Sequence, residues 1–181
     1  MKKQELIDST PTKQITVLLA EDHANVRKFL KLSVELDGDI EVVGEAKNGV
    51  EAVHLTKRLH PEVVVMDISM PLLNGIQATR QITETASAAK VLILSAYPDP
   101  EYIKQAVISG ASGYLIKQSS TQAVAQAVRE VLKGNTYFSA SISKHLRNQC
   151  LKLFCKDQLL KKQTARPAFS DGTLNRRVTQ I

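Results

Sequence analysis

Residues 62–75 read Glu62-Val63-Val64-Val65-Met66-Asp67-Ile68-Ser69-Met70-Pro71-Leu72-Leu73-Asn74-Gly75. The apolar run Val63-Val64-Val65-Met66 lacks the strict alternation of a half-buried strand. Such a run suits a strand of a parallel sheet, covered on both faces. It closes on a charged residue, Asp67, and a helical stretch begins at Asn74. The same pair of patterns recurs on both sides. Short apolar runs lie at Ile15–Ala20, Glu41–Ala46, Lys90–Ala96 and Ser112–Lys117. Helical spacing occupies Asn25–Leu36, Gly49–Leu59, Asn74–Glu84, Pro100–Ser109 and Thr121–Leu132. In the first of these Val26, Phe29, Leu30 and Val34 fall three and four residues apart. The last sets Val124, Ala127, Val128 and Val131 on one side, behind the cap-forming Ser119-Ser120-Thr121. Five strands, each followed by a helix, predict an α/β fold: a doubly wound, five-stranded parallel sheet of flavodoxin-like order 2-1-3-4-5.

The flanks read differently. Residues 1–13 are polar and predict a disordered lead-in, so the folded unit is expected over 14–135. Residues 136–163 predict a linker helix, entered through Tyr137-Phe138-Ser139 as one more short extended piece, with Ile142, Leu146, Cys150, Leu153 and Leu160 as an imperfect apolar stripe broken by Asp157. That helix is expected to stand clear of the folded body. Residues 164–181 predict a loose tail. The charge divides in the same way. The chain carries +6, yet residues 1–137 hold 15 Lys/Arg and 16 Asp/Glu, whereas residues 138–181 hold 9 Lys/Arg and 2 Asp. The near-neutral body is no general nucleic-acid binder, and the basic tail reads first as a solvated helix face. No apolar run approaches the roughly 18 residues needed to span a bilayer, and the start lacks a signal-peptide core. The expected location is cytoplasmic, with Cys150 and Cys155 as free thiols.

Ligands of an open parallel sheet bind beyond the carboxyl ends of its strands. The first strand ends in Glu21-Asp22, the third in Asp67, the fourth in Ser95 and the fifth in Lys117. Three carboxylates brought together repel one another unless a cation joins them, and a small set of hard oxygen ligands suits Mg²⁺. Mg²⁺ beside a carboxylate nucleophile suits phosphoryl transfer, with a lysine and a hydroxyl to hold the remaining oxygens. Asp67, on the middle strand, is the best-placed nucleophile.

The acidic pair, Asp67 within its 62–75 segment, Leu94-Ser95-Ala96 and Gly110-Ala111-Ser112-Gly113-Tyr114-Leu115-Ile116-Lys117 together resemble the response-regulator receiver domain. The wording of residues 95–117 is similar to the NarL/LuxR-like subfamily of two-component transcriptional regulators. The resemblance covers about residues 14–135. It implies that Asp67 accepts phosphate from a sensor histidine kinase. It implies Mg²⁺ held directly by Asp22 and Asp67, by Glu21 through water, and by the backbone carbonyl of Ser69. Lys117 would pair with the phosphoryl group and Ser95 would bond it afterwards. Tyr114 would be the aromatic switch, turning inward when Ser95 moves. Met70-Pro71 and Gly75 would shape the loop. A homodimer formed on phosphorylation is a further expectation, and DNA is a partner only with an output domain. Residues 136–181 are too short for the usual helix-turn-helix domain and lack its pair of helices.

Two positions depart from the pattern. Glu21 stands where an Asp is frequent, and Gln118 follows Lys117 where a proline is frequent, which disfavours a cis bond there. Each residue also has a plainer reading. A lone Asp at a strand end is usually a turn or cap residue, Ser95 could simply close its strand, and Tyr114 alone reads as a packed aromatic. His23 reads as an exposed loop histidine, and His54 and His60 as structural. Other function classes compete: a hydrolase or phosphotransferase, a phosphorelay intermediate, or a DNA binder acting through the tail. A hydrolase of this kind usually places a second catalytic Asp two residues past the nucleophile. Here that position is Ser69, which points to a phospho-acceptor rather than an enzyme.

Overall fold

The computed structural model describes residues 14–153, apart from 87, 97, 119, 120, 143 and 145. Strands and helices alternate: β1 Ile15–Ala20, α1 Ala24–Val34, β2 Ile40–Ala46, α2 Gly49–Leu59, β3 Val63–Asp67, α3 Gly75–Thr85, β4 Lys90–Ser95, α4 Pro100–Ile108, β5 Gly113–Ile116 and α5 Thr121–Leu132. A two-residue strand, β6 Tyr137–Phe138, follows, and residues 146–153 form a last helix, α6.

All the strand pairings are parallel. Every residue of β3 is buried. Val64 and Met66 enter one apolar cluster and Val63 and Val65 the other, so the unbroken run fills both sides of the sheet. Leu30 and Val34 of α1 and Val124, Ala127, Val128 and Val131 of α5 complete the second cluster. Ala52 of α2, Ala78 and Ile82 of α3, and Ile103 and Ala106 of α4 complete the first. Among the described residues, three helices begin on side-chain caps. Asn48 accepts from Glu51 N, Asn74 from Gln77 N and Asp99 from Glu101 N. Each satisfies a backbone donor the helix itself leaves open.

The predicted order holds, and among the described residues a sixth strand extends it to β2-β1-β3-β4-β5-β6. Tyr137 and Phe138, expected to be extended, supply it by pairing with β5. One expectation is corrected: the stretch after residue 141 does not stand clear of the body, as far as it is described. Ile142, Leu146 and Cys150 are buried in the cluster that holds Tyr114 and Ile103. The added strand widens the sheet, and the buried part of the stripe joins the apolar cluster on the same face as α2, α3 and α4. Leu153 is exposed. Residues 1–13, Asp157, Leu160 and the tail expected at 164–181 lie outside the described residues.

Candidate functional site

The carboxyl ends of β1, β3, β4 and β5 meet at one place. Asp67 ends β3 and is buried. Glu21, directly after β1, is 1% exposed. Lys117 follows β5 and joins them: its Nζ lies 2.7 Å from Glu21 Oε2 and 3.0 Å from Asp67 Oδ2. Burial on its own would lower the Lys117 pKa. The hydrogen bonding and charge of Glu21 and Asp67 outweigh it, and the net shift is upward. Lys117 is therefore held as a cation. The neighbouring backbone is also fixed: Lys117 N donates to Ser95 O at 2.7 Å, and Glu21 N to Ala46 O at 3.0 Å.

Asp22 is partly buried at the rim, its Oδ1 2.8 Å from His23 Nδ1. His23 Nδ1 also lies 3.3 Å from Glu21 Oε1, and His23 N donates to the same oxygen at 3.2 Å. Sequence reasoning set His23 aside as a loop residue, and only its adjacency to the acidic pair hinted otherwise. Glu21, Asp22 and His23 each offer a ligand atom within 4.8 Å of the others'. Glu21 Oε2 and Asp22 Oδ1 are buried, the first facing Lys117 Nζ at 2.7 Å and the second facing His23 Nδ1 at 2.8 Å. Glu21 and Asp67 share Lys117, and Asp22 lies beside Glu21; such a set of carboxylate oxygens fits a hard divalent cation.

Ser95 closes β4 and is buried. Tyr114, on β5, is wholly buried and shares a side-chain hydrogen bond with Ser95. Burial raises its phenol pKa above the ordinary value. The Tyr114 ring lies inside the fold, beside Ser95. Ser69 is exposed, two residues past Asp67. The loop there is tightly shaped. Gly75 N donates to Ile68 O at 3.0 Å, Gly49 N donates to Leu73 O at 3.1 Å, and Leu72 takes a left-handed φ of 66°. A side chain on Gly75 would collide with the Asp67 carbonyl, and one on Gly49 with the Leu73 carbonyl. No cis peptide occurs among the described residues.

The response regulator receiver domain model matches residues 17–129. The chain belongs to the response regulator receiver family. Its relatives are regulators of the NarL/LuxR type. The transcriptional regulatory protein LiaR of Bacillus subtilis (strain 168) is 37% identical over 129 residues, covering 71% of this chain and 61% of LiaR. The signal receiver domain of the putative response regulator NarL from Mycobacterium tuberculosis superposes with a TM-score of 0.66 at 32% identity, covering 68% of this chain and 99% of that one. CheY in a CheX-CheY-BeF₃-Mg²⁺ complex from Borrelia burgdorferi gives a TM-score of 0.62 at 27% identity, over 66% of this chain and 90% of that one. The receiver spans about three fifths of the length of curated relatives such as LiaR. No described helix is long and apolar enough to cross a membrane.

Proposed function

We propose that this receiver is a phosphorylation-driven switch in the cytoplasm, with Asp67 as the acceptor and a sensor histidine kinase as the donor. The carrying observation is Lys117, held between Glu21 and Asp67 at the buried carboxyl end of the sheet. A carboxylate oxygen of Asp67 attacks the phosphorus of the phosphohistidine. The new O–P bond forms as the N–P bond breaks, and the imidazole leaves with the electron pair. Asp67 is fixed for this by its place at the end of β3 and by the loop folded back on its carbonyl. Lys117 faces the charge that builds on the transferring oxygens, and Ser95 supplies a hydroxyl from the neighbouring strand.

Asp22 and Asp67 would hold Mg²⁺ directly, Glu21 through water, and the Ser69 carbonyl would complete the protein's share. Bound there, Mg²⁺ neutralises phosphoryl oxygens and orients them for in-line transfer. Ser69 stands where a hydrolase of this chemistry would carry a second acid, so the aspartyl phosphate persists as a signal. The downstream effect, by likeness to the transcriptional regulators above, is control of transcription through an output domain, with a homodimer forming on phosphorylation. The test is incubation with acetyl phosphate and Mg²⁺ followed by peptide mass spectrometry. Asp67 gains one phosphoryl group and Asp67→Asn gains none. Phosphate on any other residue of the wild type overturns the assignment.

A further inference from the structure

The rim of the site holds one side chain that phosphoryl transfer to Asp67 does not use. His23 occupies the N-cap position of α1, yet its side chain makes no cap hydrogen bond. The ring turns instead to the acidic pair. Its Nδ1 lies 2.8 Å from Asp22 Oδ1 and 3.3 Å from Glu21 Oε1. Its backbone N donates to the same Glu21 oxygen at 3.2 Å. Glu21 divides its two oxygens: Oε2 faces Lys117 Nζ at 2.7 Å, and Oε1 faces His23. A buried carboxylate, a partly buried one and an imidazole thus converge from three consecutive residues. The His23 side chain is 71% exposed, so an ion can reach the three from solvent.

We infer that Glu21, Asp22 and His23 form a cation site at this rim, fitted to a transition metal of the zinc class, with Asp22 common to it and to the Mg²⁺ position proposed above. Spacing supports it. Atoms bound about 2.0 to 2.2 Å from a zinc ion lie roughly 2.8 to 3.6 Å from one another. The His23 nitrogen already stands at such distances from both oxygens. The proton count supports it too. A ring nitrogen carries at most one proton, so hydrogen bonding cannot serve two carboxylate oxygens equally, whereas a cation is held by all three atoms at once. The donor set decides the metal. Imidazole suits zinc, nickel and copper, while Mg²⁺ prefers oxygen ligands and keeps several waters. His23 therefore adds affinity for the first group and none for Mg²⁺. Three protein ligands leave a zinc ion its fourth position for water. Zinc binding here does not require Asp67 to accept phosphate.

The measurement uses the full chain and its His23→Ala variant, each titrated by calorimetry with Zn²⁺ and, separately, with Mg²⁺. The other histidines and the cysteines are common to both proteins, so the difference between the two isolates His23. Zinc affinity is expected to fall at least about tenfold in His23→Ala, with Mg²⁺ affinity unchanged. In the wild type the His23 ring-nitrogen NMR signal, identified by its loss in the variant, is expected to shift on addition of zinc. Unchanged zinc affinity in His23→Ala overturns the inference. So does an equal loss for zinc and Mg²⁺, which would make His23 a brace for the acidic loop and not a ligand. A His23-dependent zinc site in a chain that binds no Mg²⁺ upholds the inference and overturns the Mg²⁺ position proposed above.

Discussion

The backbone of Gly75 packs directly against the carbonyl of Asp67, leaving no room for a side chain between them. The contact ties the start of α3 to the end of β3, so the loop between them is closed at its base. Gly75→Ala would drive a methyl group into backbone that the β3 pairings hold in place, and neither side can yield cheaply. The expected loss is about 2 to 4 kcal/mol in urea unfolding. An unchanged midpoint would show that the loop can move aside.

Among the described residues, Lys117 is the cation that contacts both Glu21 and Asp67. Lys117→Met leaves those carboxylates facing one another without a countercharge. Divalent-cation affinity is expected to rise roughly severalfold, while phosphoryl uptake from acetyl phosphate slows about a hundredfold. Calorimetry with Mg²⁺ and a mass-spectrometric time course separate the two effects. Weaker metal binding in the variant would contradict the electrostatic reading of the site.

Ile142 is 2% exposed and lies in the cluster with Tyr114. Ile142→Ala is expected to destabilise the whole domain by about 2 to 4 kcal/mol, through lost contacts and the cavity left behind. Cutting the chain near residue 138 should therefore lower the thermal midpoint of what remains. A cut product as stable as the intact chain would make the segment an appendage after all.

Arg129 of α5 forks onto Asp39, and its Nη2 also lies 2.7 Å from Asp37 Oδ2. The hydrogen bonding from Arg129 holds the Asp39 carboxyl below its ordinary pKa, against the upward pull of burial. An acid depressed in this way stabilises the fold in full above its unfolded pKa, and that stabilisation is lost as pH falls through the lower folded value. The carboxylates are largely exposed, so Arg129→Gln should cost at most about 1 kcal/mol at neutral pH. The difference from wild type should shrink below about pH 4. Paired urea titrations at pH 7 and pH 3 decide it, and a gap that widens in acid would refute the sign.

Much of the site was legible because position along a strand is a one-dimensional property. Counting from the apolar runs placed Glu21, Asp67, Ser95 and Lys117 at strand ends, and parallel pairing then obliged them to meet. The bounds of β1 agree with the reading residue for residue, and β4 ends one residue earlier. The fate of Ile142, Leu146 and Cys150 was not legible. A stripe at helical spacing says that a face is apolar, not what covers it, and the five strand–helix units already looked complete at Gly134. The place of His23 was hidden for a different reason. Its contact with Asp22 depends on a side-chain rotamer in a loop, which leaves no periodic trace.

The strand order carries a consequence for synthesis. β3 takes the edge of β1 that β2 leaves free, and from β4 onward every strand joins the strand made just before it. A chain emerging from the ribosome can therefore lay the sheet down in the order it is made, each new strand meeting an edge already waiting. The last edge waits longest. Until Tyr137 and Phe138 emerge, β5 offers its unpaired backbone to any passing strand, and the cradle for Ile142 lies open. The final stretch of the folded body thus also shields it from wrong partners at birth.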